Sequence, residues 1–252
     1  MHVLIFILGI TIGSFLNVCV YRIPRGDSIL YPSSYCPNCG TALNWYDLIP
    51  ILSYTFQWGK CRYCREPISL QYPVIEYLNG FLYLITYSKF GLNIDFIFYV
   101  SIFSILIVIS FIDLYTQIIP DYLNVLIFIS AIIYKILSST FQDMLWIFFN
   151  SMLGLIISSG IFLIIIIVSK GGMGGGDAKL IGGLGFILGI KLILLNIFLS
   201  FVLGAIISIF LLSLKIKGRK DPIPFGPFIC LSFIITIFCG DAIINWYVSN
   251  LL

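Results

Sequence analysis

The sequence predicts an all-α polytopic membrane protein with about eight transmembrane helices. Of its 252 residues, 60% are hydrophobic and only 10% are charged. A soluble domain of this size could not cover its surface with so few charges. Apolar stretches long enough to cross a bilayer also recur along the chain. The spans are predicted at 3–21, 74–90, 94–113, 121–138, 145–169, 178–190, 192–214 and 226–249.

One of these spans, 178–190, is short for a full crossing of the bilayer. It can instead form a tight hairpin with the next helix by turning near Gly189. No cleavable signal peptide is predicted, because the first apolar stretch starts at Val3 without a basic segment before it or a small-residue cleavage site after it.

The single large polar insertion, residues 22–73, predicts a small lobe outside the membrane. It contains Pro, Gly, Ser and Asn together with most of the cysteines, a composition that does not continue a transmembrane helix. The chain therefore divides into a first transmembrane helix (1–21), this lobe, and a transmembrane domain (74–252).

The distribution of lysine and arginine predicts that the lobe lies in the cytoplasm. Of the 14 lysines and arginines, only Lys89, Lys135 and Lys191 are then on the side of the membrane opposite the cytoplasm. The others are on the cytoplasmic side: Arg22, Arg25, Lys60, Arg62, Arg65, Lys170, Lys179, Lys215, Lys217, Arg219 and Lys220. No basic stripe of the kind that binds nucleic acid is present, so the lipid bilayer and not a nucleic acid is the expected partner.

Two cysteine knuckles in the lobe predict a zinc site. Cys36-Pro-Asn-Cys39 and Cys61-Arg-Tyr-Cys64 are separated by 21 residues, close to the usual spacing of paired knuckles. Four thiolates complete a tetrahedron and leave no open position, which favours a structural over a catalytic metal. A pair of disulfides or a set of unligated thiols is the alternative, and a reducing cytoplasm disfavours the disulfides. The other cysteines lie in apolar helices and are expected to be buried: Cys19, Cys230 and Cys239.

Two aspartates at the ends of apolar stretches are the strongest candidates for chemistry. Asp177 follows the glycine run 171–176, and Asp113 closes the stretch Ile-Leu-Ile-Val-Ile-Ser-Phe-Ile-Asp. An acid near the hydrocarbon region is costly and usually has a function. If the two are close, they share a proton and can act on a water that attacks an amide. The structural alternatives are a helix-start acid at Asp177 and an interfacial acid at Asp113.

Other marked residues have simpler interpretations. Asp121 follows a proline and is expected to cap the next helix. Glu76 lies three residues after Pro73 and is expected in the first turn of its helix, with a functional role as the alternative. The pattern Gly9-x-x-x-Gly13 predicts close packing of the first helix against another.

Taken together, these motifs resemble the type IV prepilin peptidases, which are intramembrane aspartyl proteases of the GxGD type. The similarity covers nearly the whole chain. The matching segments are Gly13-Ser14-Phe15-Leu16-Asn17-Val18, Tyr21-Arg22-Ile23-Pro24, the two cysteine knuckles, Arg65-Glu66-Pro67-Ile68-Ser69, Tyr72-Pro73-Val74-Ile75-Glu76, Asp113 with Ile119-Pro120-Asp121, Gly174-Gly175-Gly176-Asp177-Ala178-Lys179-Leu180, and Pro224-Phe225-Gly226-Pro227.

The resemblance implies that Asp113 and Asp177 are the two catalytic aspartates. It implies removal of a short basic leader from type IV prepilins or pseudopilins, at the cytoplasmic face of the bacterial inner membrane. Family members with a four-cysteine lobe commonly methylate the new N-terminus with S-adenosylmethionine, and Glu76 matches an acid linked to that step. The four cysteines are then the zinc ligands.

Two other classes remain as alternatives. A presenilin-like or preflagellin-type GxGD protease would share the chemistry, but the four-cysteine lobe is not expected there. A transporter or assembly subunit could use the paired aspartates to carry protons or bind a cation.

Overall fold

The computed structural model describes residues 1–140, 143–170, 172–215, 218 and 221–251, except the side chain of 251. Within them the chain is helical, with two isolated β-bridges and no longer strand. The all-α prediction is confirmed. The helices are α1 (His2–Arg22), α2 (Leu52–Phe56), α3 (Gln71–Phe90), α4 (Ile94–Thr116), α5 (Asp121–Ser138), α6 (Met144–Val168), α7 (Gly175–Ser213) and α8 (Gly226–Leu251), with short 3₁₀ turns at Ile23–Arg25 and Trp45–Asp47.

Six helices in the described part of the chain are long and apolar enough to cross a membrane: α1, α4, α5, α6, α7 and α8. This confirms a multi-pass membrane protein, and the predicted number of eight spans is approximate. One reason is that α7 covers two predicted spans. The other reason is that α3, which contains the predicted span 74–90, is not among the six. It carries polar side chains, among them the buried Glu76 and Asn79.

The predicted reversal near Gly189 is present inside α7. Gly189 has φ 69° and ψ −178°, which is incompatible with a continuous helix. Asn150 of α6 lies against Gly189 and accepts a hydrogen bond from the amide of Ile190 at 3.3 Å. Phe162 lies about three helical turns after Asn150 in α6, and Phe201 lies about three turns after Gly189 in α7. The rings of Phe162 and Phe201 are in contact. The second limb of α7 therefore runs alongside α6 in the same direction, so the chain reverses at Gly189.

The chain forms two compact units, Met1–Val108 and Ile109–Leu252. In the first unit α1 and α3 are antiparallel. Asn17 donates to the carbonyl of Tyr72 (3.1 Å), and Asn79 donates to the carbonyl of Gly9 (2.7 Å). The expected close packing of the Gly9/Gly13 pattern is confirmed.

Replacing Gly13 with alanine is expected to destabilise the first unit. A Cβ at this position would lie 2.7 Å from the Cα of Glu76, so the backbones of α1 and α3 would have to separate. Overpacking of this kind costs about 1–3 kcal/mol. The midpoint of thermal unfolding in detergent should fall for Gly13→Ala. It should not fall for Gly160→Ala, where nothing lies within 4 Å of the added Cβ. Equal midpoints for Gly13→Ala and the unsubstituted protein would contradict the close contact.

Several local expectations need correction. Asp121 is the first residue of α5 and makes no capping hydrogen bond, because Pro120 occupies the N-cap. Glu76 is not in a first turn, since α3 begins at Gln71. Cys19 and Cys230 are buried as expected, but Cys239 is exposed. The basic residues Lys217, Arg219 and Lys220, and Gly171 of the glycine run, lie outside the described residues.

Candidate functional site

Asp113 lies in the last turn of α4 and is 4% exposed. Its Oδ2 accepts a hydrogen bond from the backbone amide of Gly226 at 2.9 Å. Gly226 begins α8, directly after a non-helical stretch that contains two prolines. A Cβ on Gly226 would lie 2.7 Å from Oδ2, so a residue with a side chain could not bring its amide to Asp113 in this way.

Asp177 lies in the first turn of α7, where its amide donates to the carbonyl of Gly174 at 3.2 Å. The predicted helix-start position is therefore correct. The side chain is 7% exposed, and its buried Oδ1 has no hydrogen-bond partner among the described residues. A buried carboxylate oxygen without a partner carries a free-energy cost of about 1–3 kcal/mol or more. Such an atom is available to a water or a substrate group.

The structure brings the two aspartates together around Ile119. A Cβ on Gly226, the partner of Asp113, would lie 3.3 Å from the Cδ1 of Ile119. A Cβ on Gly176, next to Asp177, would lie 3.0 Å from the Cβ of the same isoleucine. The group bonded to Asp113 and the neighbour of Asp177 therefore contact the same isoleucine, which places the two acids in one region of the structure.

An aromatic cluster packs beside this pair. Phe225 precedes Gly226, and its ring centroid is 5.2 Å from that of Phe201 and 6.0 Å from that of Phe162. A Cβ on Gly204 would lie 3.2 Å from the rings of Phe225 and Phe228. The second limb of α7 therefore passes the level of the aspartates near Gly204.

Three other acids of this unit are exposed. Asp121 forms an ion pair with Lys179 at 2.7 Å, and both side chains are more than half exposed. Asp143 is exposed, and Asp241 is exposed and lies 3.7 Å from Lys191.

The two cysteine knuckles have the same backbone structure. In the first, the amide of Gly40 donates to the carbonyl of Cys36 at 2.8 Å. In the second, the amide of Arg65 donates to the carbonyl of Cys61 at 2.9 Å. Gly40 and Arg65 both have positive φ, 69° and 62°. The repeated turn directs both sulfurs of each knuckle to the same point.

The four sulfurs of Cys36, Cys39, Cys61 and Cys64 all lie within 4.8 Å of one another. The Cys36–Cys64 sulfur distance is 3.9 Å, and thiolates around a tetrahedral zinc are separated by about 3.8 Å. Hydrogen bonds from Thr41 lower the pKa of Cys39 to about 6. The Glu66 amide lowers the pKa of Cys64, but burial and the neighbouring sulfurs outweigh it and raise that pKa to about 12. The cluster can hold a metal ion, whose positive charge would offset the repulsion between thiolates.

A cavity of about 440 Å³ lies within the first unit, between α1, the lobe and the start of α3. This volume is in the usual range for small-molecule sites. Its wall includes the buried carboxyl of Glu76, whose Oε2 accepts a hydrogen bond from the amide of Ile51 at 2.7 Å. Five tyrosines also line it: Tyr21, Tyr35, Tyr54, Tyr63 and Tyr72.

Sequence reasoning missed two contributors to these sites, and both are backbone amides. Gly226 was marked only as part of the Pro224–Pro227 segment that carries the family resemblance, and Ile51 was not marked at all. Two prolines precede Gly226 in the non-helical stretch before α8, and such residues are the available signal that the chain does not enter α8 as a continuous helix.

Two adjoining sequence families match the chain. Residues 7–90 match the Bacterial Peptidase A24 N-terminal domain. Residues 100–209 match the Type IV leader peptidase family. No solved structure matches this chain significantly.

Curated relatives match over nearly their full length. A Bacillus subtilis (strain 168) protein named prepilin leader peptidase/N-methyltransferase is 32% identical and covers 98% of this chain and 97% of its own length. A Legionella pneumophila protein of the same name is 31% identical over 99% and 95%. The fold and site define a multi-pass membrane protein with a paired-aspartate centre and a four-cysteine lobe. The chain belongs to the type IV leader peptidase family.

Proposed function

We propose that this protein is an aspartyl endopeptidase that removes the short basic leader from type IV prepilins or pseudopilins, with Asp113 and Asp177 as its catalytic residues. The observation that supports this most directly is that two buried aspartates from different helices lie in the same region near Ile119, and that Oδ1 of Asp177 has no hydrogen-bond partner among the described residues. Family membership favours this function over a proton or cation transporter.

In the proposed reaction, a water between the two carboxyls attacks the carbonyl carbon of the scissile peptide bond. The pair removes one proton from the water and delivers one to the leaving nitrogen, so the C–N bond breaks to give a carboxylic acid and a free amine. Neither proton transfer is assigned to one of the two aspartates, because the pair gains and loses protons as a unit. The Gly226 amide holds Asp113 in position throughout.

We place this reaction at the cytoplasmic face of the bacterial inner membrane. The apolar helices support a membrane location, and the excess of lysine and arginine on the side of the lobe supports the orientation. In this arrangement the lobe and the basic leader of the substrate lie on the same side.

We propose that the first unit methylates the amine that cleavage produces. S-adenosylmethionine supplies the methyl group on a positively charged sulfur. The cavity has the size, the aromatic walls and the buried carboxyl that such a ligand requires, since aromatic faces and carboxylates both attract cations. In this proposal Glu76, whose carboxyl is held by the Ile51 amide, would receive the proton that the amine loses when the S–CH₃ bond of the donor breaks and the new N–CH₃ bond forms.

We propose zinc as the metal of the four-cysteine cluster. A closed set of four thiolates is typical of structural zinc. The ion would be held by Cys36, Cys39, Cys61 and Cys64 and would fix the lobe (22–73) that forms one wall of the cavity. The transmembrane part from residue 74 onward would then contain the peptidase centre.

The function is tested by mass spectrometry of a purified prepilin incubated with the purified protein, with and without S-adenosylmethionine. Cleavage in both reactions, and a gain of one methyl group only in the second, is the expected result. An uncut prepilin under conditions where a characterised relative cuts it would overturn the proposal.

Replacing Glu76 with glutamine is expected to separate the two activities. The amide keeps the size of the side chain but cannot take a proton, so methylation should fall by about 10²-fold or more. Cleavage should stay within a few-fold of the unsubstituted rate, because Asp113 and Asp177 lie in the other unit. The same mass spectrum reports both products. Normal methylation by Glu76→Gln would contradict the role of this carboxyl.

A further inference from the structure

Residues 45–58 of the lobe, here called the aromatic segment, present large apolar side chains to the outside. Trp45 is 77% exposed, Phe56 is 78% exposed and Trp58 is 88% exposed. Between them, Ile49 is 37% exposed and Leu52 is 53% exposed. Several large exposed apolar side chains within one short segment favour an interaction site.

The outer surface of the aromatic segment carries no charge. Its single charged residue, Asp47, turns inward, with a side chain only 3% exposed. The carboxylate binds the Nε of Arg62 at 2.9 Å and accepts hydrogen bonds from Gln57 (3.2 Å) and Tyr63 (3.0 Å). These contacts fasten the polar side of the segment to the lobe and leave the apolar side free.

The segment is also fixed at the level of the membrane-spanning part of α1. The Ile51 amide is bound to Glu76, and the Cα of Glu76 packs directly against Gly13. Gly13 precedes Arg22, the end of α1, by nine residues, or about 13 Å along the helix axis. The Ile51 amide, at the centre of the segment, is therefore bonded to a residue of α3 that packs against the apolar length of α1.

The chemistry of the segment and its surroundings matches the boundary between lipid headgroups and acyl chains. Tryptophan and tyrosine concentrate at this boundary, where an apolar ring and a polar N–H or O–H are both accommodated. The exposed basic residues Lys60, Arg62 and Arg65 follow directly in the sequence, and anionic headgroups attract such residues.

We propose that the aromatic segment lies in the headgroup–acyl boundary of the bilayer that α1 spans, with Trp45, Phe56 and Trp58 inserted among the lipids. It acts as an interfacial anchor that holds the four-cysteine lobe and its cavity against the membrane surface. The occupant of this surface is lipid, and not a second protein.

The test uses tryptophan fluorescence of the full-length protein in nanodiscs of phosphatidylcholine and phosphatidylglycerol. Replacing Trp146 and Trp246 with phenylalanine leaves Trp45 and Trp58 as the only tryptophans, and excitation at the red edge of the absorption band avoids the tyrosines. Their emission should be shifted to the blue relative to tryptophan in water. Lipids brominated near the headgroup end of the chains should quench it by roughly twofold or more, as for side chains at the membrane interface. Iodide in the aqueous phase should quench it weakly.

The matched variant carries Trp45→Phe and Trp58→Phe and keeps Trp146 and Trp246. Because these two lie on α6 and α8, their quenching by the same lipids calibrates the assay. Water-like emission with strong iodide quenching in the first variant would overturn the proposal. Blue-shifted emission that brominated lipid leaves unchanged would also overturn it and would show that a protein surface covers the segment.

Discussion

Replacing either Asp113 or Asp177 with asparagine is expected to abolish prepilin cleavage, with a loss of about 10³-fold or more. Asparagine keeps the shape of the side chain and, at Asp113, an oxygen that can still accept from the Gly226 amide. It cannot transfer a proton to or from a water. Because the two carboxyls act as a unit, the double variant should be no slower than either single variant. Rates of leader removal from a purified prepilin measure this.

The matched control is Asp241→Asn in the same unit, where the side chain is 78% exposed and pairs only loosely with Lys191. Its cleavage rate should equal that of the unsubstituted protein. All variants should be present in the membrane at equal levels. Processing at a normal rate by Asp113→Asn or Asp177→Asn would show that the paired aspartates are not the catalytic residues.

Removing the metal is expected to unfold the lobe and end methyl transfer. Structural zinc contributes about 10–16 kcal/mol of binding free energy to small domains, and a lobe of this size has little apolar core to replace it. Cys36→Ser should reduce the bound zinc from one ion per chain toward none. Metal analysis, protease sensitivity of residues 22–73, and methylation of a cleaved pilin should change together.

Cys239→Ser provides the control, because this thiol is exposed on α8, outside the cluster. It should retain the full metal content and full methylation. Cleavage should persist in Cys36→Ser, since the aspartates belong to the other compact unit. A Cys36→Ser protein that keeps stoichiometric zinc would exclude the four-thiolate site.

Most of the fold followed from local features of the sequence. Apolar length identified the helices, glycine marked the reversal at Gly189, and the spacing of the cysteines brought four sulfurs together. Each of these features could be predicted from a residue type, a spacing or the length of an apolar stretch. The pairing of Asp113 and Asp177 was expected only through the resemblance to the aspartyl proteases, because the two residues lie in helices that are distant in the sequence.

The rest of the candidate sites depends on contacts of backbone groups, which cannot be identified from residue types. The Gly226 and Ile51 amides are backbone groups, and Ile51 reaches Glu76 from a loop with φ 63°. Cys239 was expected to be buried because its helix is apolar, but a membrane helix is apolar on its outer face as well. Apolar character therefore does not distinguish protein-facing from lipid-facing positions in such a chain.

The length of the second limb of α7 bears on which polypeptides can be cut. The limb passes the aspartates near Gly204 and continues to Ser213, about 13 Å higher along its axis. Asp113 lies in the last turn of α4 and Asp177 in the first turn of α7, so these two helices stop at the level of the pair while the limb continues. We therefore expect a substrate to approach the proposed centre along this limb, over a distance that an extended strand covers with roughly four residues at about 3.3 Å each.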